Sequence, residues 1–156
     1  MKVTLLVVGK TTDPHLQALI SEYERRLSHY LSFSLCVIPE LKNAKNLTQE
    51  QQKETEGKLI LQQIDSSATL ILLDEHGQQY RSVDFAKHLQ QRFSAGKNLT
   101  FVVGGPYGFS QAVYQRADAK LSLSDMTFSH QMIRLLFVEQ LYRALTILHH
   151  EPYHHE

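Results

Sequence analysis

Five short apolar segments recur along the chain and are separated by longer stretches in which apolar residues have helical spacing. Several are rich in Val, Ile or Leu with little polar alternation, which is typical of strands buried on both faces of a sheet. They cover residues 2–8, 34–38, 69–74, 99–104 and 120–123. The pattern predicts an α/β fold with a mostly parallel sheet flanked by helices.

Helix-start signals precede the first two of the longer stretches. Asp13 before Pro14 supplies an N-cap side chain and a ring already set at the first helical φ, which predicts a helix from Pro14 to about Tyr30. The segment 48–51, Thr-Gln-Glu-Gln, is a capping-box pattern for a second helix that ends near Ile64.

Three further helices are predicted. Ser82 is the expected cap of a helix that stops before Gly96, and a short helix covers residues 110–117. The last helix, over residues 129–149, is apolar around more than one narrow stripe, which a small monomer cannot easily cover at its periphery. We interpret the second apolar face as a homodimer interface. The alternative is that this helix packs centrally in a monomer.

Length and composition indicate a single domain over residues 1–156, with 42% apolar and 21% charged residues. No apolar run approaches the roughly 20 residues of a membrane-spanning helix, and the N-terminal segment does not have the form of a secretory signal. A cytoplasmic protein is therefore expected. The only cysteine, Cys36, lies in an apolar segment and is predicted to be buried.

The charge of the chain is balanced, since Lys and Arg total 16, as do Asp and Glu. This balance argues against binding to naked nucleic acid, for which a basic stripe usually supplies the affinity. The nine histidines would add positive charge below neutral pH.

The loop after the fourth predicted strand, residues 104–108, reads Gly-Gly-Pro-Tyr-Gly. Its spacing differs from the dinucleotide-binding Gly-x-Gly-x-x-Gly, and no lysine opens the next helix as in a phosphate loop. A nucleotide phosphate is therefore an unexpected ligand. Either the segment is a plain turn, or its glycines let the backbone approach another ligand beyond the carboxyl end of the strand.

A second loop, residues 124–131, follows the fifth predicted strand and carries hydroxyls, backbone donors and apolar side chains. Ligands of open α/β sheets bind beyond the carboxyl ends of the strands. We therefore expect the two loops to share one flat ligand that is part apolar and part polar, such as an adenosine.

Two further motifs follow these loops along the chain, Glu-Gln-Leu-Tyr-Arg-Ala at 139–144 and Pro-Tyr-His-His at 152–155. In motif order and in length, the whole chain resembles the ribosomal large-subunit methyltransferase H family, which belongs to the SPOUT class of S-adenosylmethionine-dependent enzymes. The opening Val-Gly-Lys and the segment 22–27, Glu-Tyr-Glu-Arg-Arg-Leu, agree with this resemblance.

The resemblance implies a SPOUT (α/β knot) fold, in which the C-terminal segment forms a deep trefoil knot that binds the donor, and a homodimer formed through the C-terminal helices. The apolar pattern itself predicts no knot. The resemblance also implies methylation of N3 of pseudouridine 1915 of 23S rRNA in the assembled ribosome. A preformed ribosomal surface supplies shape recognition, which fits a chain with no net charge.

By the same resemblance, the S-adenosylmethionine pocket comprises the ends of the third and fourth strands and the loop after the fifth. Its residues are Leu73, Gly104, Gly105, Leu123, Ser124, Asp125, Met126, Thr127 and Phe128. The enzyme mainly has to place the methyl in line with the base nitrogen and help that nitrogen lose its proton. No metal is required.

The candidates for the proton-transfer task are His130, Glu139, Tyr142, Arg143 and His154. Arg143 could orient a phosphate or stabilise a uracil-ring anion, and His154 could reach the site across the dimer interface. The alternative for Glu139 and Arg143 is an ion pair at i, i+4 spacing. For His130 the alternative is packing or capping at the helix N-terminus.

The tail departs from the family pattern, because His155 stands where members commonly carry arginine or lysine. An RNA contact there is expected to be weaker or pH-dependent. A metal site among His149, His150, His154 and His155 is disfavoured, since the segment is short and has no His-Glu-x-x-His pattern.

The leading hypothesis from sequence is an rRNA methyltransferase. A rival is a non-catalytic ribosome- or RNA-binding dimeric scaffold that keeps the fold. A third, a small nucleotide-binding enzyme, has little support from the loop chemistry.

Overall fold

The computed structural model describes residues 1–155, in which five strands form one parallel sheet. The strands are β1 (Lys2–Val8), β2 (Ser32–Ile38), β3 (Thr69–Gln78), β4 (Leu99–Val103) and β5 (Ala119–Leu121). They pair in the order β2-β1-β4-β3-β5. The predicted parallel sheet is confirmed. The central strand β4 is buried along its whole length, as its mostly apolar sequence Leu-Thr-Phe-Val-Val predicts.

Five helices cover both faces of this sheet. They are α1 (Pro14–Leu27), α2 (Gln49–Gln62), α3 (Ser82–Ser94), α4 (Gln111–Arg116) and α5 (Met132–Leu148), with a short 3-10 helix at Ala44–Asn46. Helices α1, α3 and α5 enclose one apolar core, and α2 and α4 enclose the other. Within residues 1–155, no helix is long and apolar enough to cross a membrane.

Of the three helix caps predicted at Asp13, Thr48 and Ser82, the first two are confirmed and the third is wrong. The Asp13 carboxylate accepts from the His15 amide at 2.7 Å, and Thr48 forms a complete capping box with Gln51. Ser82 is not a cap, because Arg81 occupies the N-cap position and Ser82 is the first helical residue. Its hydroxyl instead donates to Oε1 of Gln140, on α5, at 3.1 Å.

The prediction that Cys36 is buried is wrong. Cys36 lies on β2, which is an edge strand of the sheet, and its side chain is exposed. Its neighbour Val37 is also 43% exposed. An apolar run predicts burial only where other elements cover the strand. Because β2 lies at the edge of the sheet, it has a neighbouring strand on one side only and is less completely covered than the central strands.

The long helix α5 packs against both α1 and α3. Its inner face is buried, and the Phe137 ring lies against Phe101 of β4 with 4.7 Å between centroids. Central packing therefore accounts for the inner apolar stripe of the helix. Leu135 and Leu136 remain half-buried, and Met132 is 41% exposed.

Candidate functional site

The segment between β5 and α5 crosses the carboxyl ends of the sheet. It leaves β5 at one edge, and its last residue, Gln131, is fixed beside β1. The Gln131 side chain accepts from the Thr12 amide at 2.9 Å and donates to the Lys10 carbonyl at 3.1 Å. Because β3 and β4 lie between β5 and β1, residues 122–131 pass over the ends of these two strands.

Arg134 anchors the start of α5 to the same end of the sheet. Its side chain is fully buried and donates to the Val8 and Gly9 carbonyls, both at 2.9 Å, and to Oγ1 of Thr11 at 3.1 Å. Its Nε also donates to the His130 carbonyl at 3.0 Å. Burial lowers the pKa of the guanidinium. Sequence reasoning missed this residue, although a lone arginine inside an apolar helical run is a usable signal.

A cavity of about 600 Å³ lies between the crossing segment and the ends of β3 and β4. Eight of the nine residues that the resemblance assigns to the donor pocket line it: Leu73, Gly104, Gly105, Leu123, Ser124, Met126, Thr127 and Phe128. Asp125 does not line the cavity, and its carboxylate accepts from Nε2 of Gln79 at 2.7 Å.

One wall of the cavity is an irregular part of β3. The strand bulges between Leu73 and Gln78, and residues 74–76 of the bulge line the cavity. The Tyr114 hydroxyl, on α4, donates to the Asp74 carboxylate. Burial raises the pKa of Tyr114 to about 12, and the hydrogen bond to Asp74 acts in the same direction. This contact ties α4 to the bulge beside the cavity.

Packing around the loop leaves little room for a side chain at its first two positions. A Cβ on Gly104 would lie 3.0 Å from Cε1 of Phe109, and a Cβ on Gly105 would lie 2.5 Å from Oε1 of Glu56. Glu56 belongs to α2 and does not line the cavity. The expectation that these glycines serve only close approach to a ligand is therefore incomplete, because Gly105 also admits a buried carboxylate.

His130 is the one predicted proton-transfer candidate that lines the cavity in the described part of the chain. Capping of α5 involves its neighbour, since Oγ of Ser129 accepts from the Met132 amide at 3.1 Å. His130 contributes only its carbonyl to helix packing, through Arg134. Its imidazole therefore has no capping role to compete with a role in the cavity.

The other four candidates, together with Tyr153, form a separate tail cluster, defined as Glu139, Tyr142, Arg143, Tyr153 and His154. Arg143 donates to Glu139 at 2.6 Å, so the ion pair at i, i+4 spacing is present, with both side chains largely buried. Nη1 of Arg143 lies 3.3 Å from Nδ1 of His154, and the guanidinium lies 4.8 Å from the Tyr153 ring centre. Tyr142 packs edge-on against Tyr153 at 4.8 Å. None of these residues lines the cavity of its own chain.

The C-terminal tail is fixed to its own chain by tyrosines. The Tyr153 hydroxyl lies 3.1 Å from that of Tyr23 and donates to Glu139 at 3.0 Å. Tyr30 donates to Glu151 at 2.6 Å. Burial raises the pKa of both Tyr153 and Tyr30.

Two further features concern the histidines of the tail. Nε2 of His154 is buried and has no hydrogen-bond partner within residues 1–155, whereas His155 is exposed. No group of three or more His, Cys, Asp or Glu side chains in the described residues is arranged to hold a metal ion.

Comparison with known proteins agrees with this geometry. A family model described as "Predicted SPOUT methyltransferase" matches residues 1–154. The chain belongs to the SPOUT methyltransferase family. The five-stranded parallel sheet flanked by helices is consistent with a SPOUT methyltransferase.

Several curated relatives are similar over their whole length. The chain is 56% identical to "Ribosomal RNA large subunit methyltransferase H" of Phocaeicola vulgatus, with 100% of both chains covered. Identity to the proteins of the same name is 54% for Flavobacterium johnsoniae and 55% for Bacteroides fragilis, again over 100% of both chains. The resemblance drawn from the sequence motifs is thus confirmed at the level of the family.

Proposed function

We propose that this SPOUT methyltransferase uses S-adenosylmethionine to methylate N3 of pseudouridine 1915 of 23S rRNA in the assembled ribosome. The names of relatives that are 54–56% identical over the whole chain support an rRNA substrate. One observation carries the proposal: eight of the nine residues predicted to bind the donor, from three strand ends, line the same cavity.

The cavity fits the proposed donor in size and chemistry. Its volume of about 600 Å³ is within the usual range of small-molecule sites. Leu73, Leu123 and Phe128 offer apolar surface for an adenosine, while the loop backbone offers hydrogen-bonding groups. S-adenosylmethionine, when bound, supplies a methyl group on a positively charged sulfur, so the main task of the protein is positioning.

His130 is the residue that we assign to the proton on N3 of the base. It lies on the cavity wall, and an imidazole can accept a proton near neutral pH. Arg143 and His154 are assigned to the RNA, where a guanidinium can hold a phosphate or an anionic uracil ring. Glu139 holds Arg143 through their ion pair, and Tyr142 packs against Tyr153, whose ring contacts the Arg143 guanidinium.

These assignments require a second copy of the chain. Because the tail cluster does not line the cavity of its own chain, we propose a homodimer in which each cluster faces the partner's cavity. The half-buried apolar residues on α5 support an interface on that helix. We also propose that residues 122–131, which cross the strand ends, belong to the deep trefoil knot of the fold, that residues 1–156 form one catalytic domain, and that the protein acts in the cytoplasm.

Donor binding and methyl transfer are tested separately. Isothermal titration of the purified protein with S-adenosylmethionine should give about one site per chain, because the proposed donor residues line one cavity in each chain. Ribosomes lacking the methyl group should then gain one on the pseudouridine, read by mass spectrometry of rRNA fragments. Ribosomes that carry uridine at this position are the matched control. A protein that binds no S-adenosylmethionine would overturn the proposal.

A further inference from the structure

Glu56 is the only carboxylate buried within residues 1–155, with 5% of its surface exposed. It lies on the inner side of α2, together with Gly57 and Ile60. Its one hydrogen bond from a side chain comes from Nε2 of Gln52, at 3.2 Å to Oε2. It forms no ion pair in the described part of the chain.

A buried carboxylate without an ion-pair partner is costly for a protein to keep. Burial raises the pKa of Glu56, and the nearby Glu40 acts in the same direction; Gln52 and His130 oppose this rise. Keeping such a group costs folding free energy, and a positively charged ligand bound nearby would offset this cost. Titratable groups with this kind of environment cluster beside ligand sites.

The position of Glu56 connects it to the cavity. Its carboxylate packs directly on the backbone of Gly105, where an added Cβ would meet Oε1 at 2.5 Å and Oε2 at 3.0 Å. Gly105 is itself part of the cavity wall. One residue therefore separates the negative charge from the space proposed for the donor. His130, which interacts electrostatically with Glu56, lines the same cavity.

We propose that Glu56 is a specificity-determining residue whose charge, acting through Gly105, favours the cationic methyl donor over its neutral thioether product. The inference rests on the proposed use of S-adenosylmethionine. The donor carries a sulfonium charge that S-adenosylhomocysteine lacks, while the rest of the two molecules is the same. A fixed anion behind the cavity wall therefore stabilises the donor complex selectively and helps the product to leave.

The test is the ratio of two dissociation constants measured by isothermal titration, one for S-adenosylmethionine and one for S-adenosylhomocysteine. Glu56→Gln keeps the shape of the side chain and removes its charge. We expect donor binding to weaken by about threefold to tenfold, since unit charges interact appreciably over several ångströms near a partly wet site. Product binding should change by less than about twofold. Glu54→Gln, an exposed site on the same helix, is the matched control and should leave both constants unchanged.

The outcomes separate the inference from the function on which it rests. Equal weakening of donor and product in Glu56→Gln would indicate a purely structural role and overturn the inference, as would no change in either. Wild-type protein that binds neither molecule would overturn the proposed function instead. Thermal melting verifies that the variant is folded. If Glu56→Gln does not fold, the same ratio measured for Glu56→Met, which fills the space without charge, decides the question.

Discussion

The guanidinium of Arg134 donates a 2.9 Å hydrogen bond to the main-chain carbonyl of Gly9 and so fixes the first turn of α5 to the end of β1. Its fork reaches Val8 as well, which a single ammonium cannot reproduce. We predict that Arg134→Lys lowers the free energy of unfolding by about 2–3 kcal/mol, because a buried carbonyl loses its donor.

Urea unfolding followed by circular dichroism measures this loss. Arg25→Lys is the matched control, because the Arg25 side chain is 66% exposed and its ion pair with Glu22 is on the surface. That control should stay within about 0.5 kcal/mol of wild type. Equal midpoints for the two variants would contradict the anchoring role of Arg134.

Gly105→Ala should distort the cavity wall on the side that packs against α2. The new methyl would lie 2.5 Å from Oε1 of Glu56, so the buried Glu56 carboxylate must be displaced or the loop must shift. We expect donor affinity to fall at least about tenfold, together with a loss of about 1–3 kcal/mol in stability. Gly96→Ala is the control. Because Gly96 has a positive φ, this variant should also lose stability, but Gly96 does not line the cavity, so donor affinity should be unchanged.

The same variant distinguishes an enzyme from a scaffold. Binding of Gly105→Ala to ribosomes, measured by co-sedimentation, should remain close to wild type, because the tail cluster is untouched. Loss of methyl transfer with retained ribosome binding fits an enzyme. Wild-type donor affinity in this variant would contradict the assigned cavity.

The tail cluster should affect turnover and not donor binding. Arg143→Lys keeps the charge but loses the fork that contacts both Glu139 and His154. We predict at least about a tenfold lower methyl transfer rate with an unchanged dissociation constant for S-adenosylmethionine. His154→Ala should behave in the same way, and exposed His29→Ala should change neither quantity. An equal loss of donor affinity in these variants would contradict this prediction and indicate that the tail cluster belongs to the donor site.

His88 makes stability depend on pH in the weakly acidic range. Burial lowers its pKa from the usual 6.5, with a smaller contribution from Arg92, and its ring is stacked on Tyr80 at 5.0 Å. Because the folded-state pKa lies below the unfolded value, the contribution is present above pH 6.5 and is lost as the pH falls through the folded pKa. We therefore expect His88→Gln to lose less stability than wild type between about pH 7.5 and about pH 5.

Urea unfolding at each pH tests the sign of this effect, and exposed His29→Gln is the control that should follow wild type. A variant whose stability falls as steeply with acid as that of wild type would rule out His88 as the source.

Glu56 should show the opposite dependence. Its pKa is raised above the usual 4.5, so its neutral form stabilises the fold at low pH, and this contribution is lost as the pH rises through the folded-state pKa. Glu56→Gln is therefore expected to melt at a temperature equal to or above that of wild type at neutral pH, and to lose this advantage below pH 4.5. A clearly lower melting temperature at neutral pH would show that the carboxylate is needed for folding.

Local signals predicted most elements of the fold correctly. Asp13 with Pro14, and Thr48 with Gln51, carry the information for their helix starts within a few residues. The cap of α3 lies one position before the predicted Ser82, because Arg81 occupies the N-cap while the Ser82 hydroxyl donates to Gln140. Bonds between distant segments are not visible in the local pattern.

Strand order explains the remaining differences. Whether a strand is central or at an edge depends on its neighbours, which an apolar run does not specify, and Cys36 is exposed for that reason. The site shows the same division. The motifs predicted most of the residues that line the cavity. Glu56 and Arg134 were not predicted, because each contacts a segment that is far away in the sequence.

The exposed cysteine on the edge strand β2 allows the protein to be labelled at one defined position. Since Cys36 is the only thiol in the chain, one maleimide fluorophore or nitroxide attaches to each copy without any mutation. Two copies labelled in this way report their separation and orientation directly in solution. A label at Cys36 is therefore a direct way to test the proposed homodimer and its proposed binding to the ribosome.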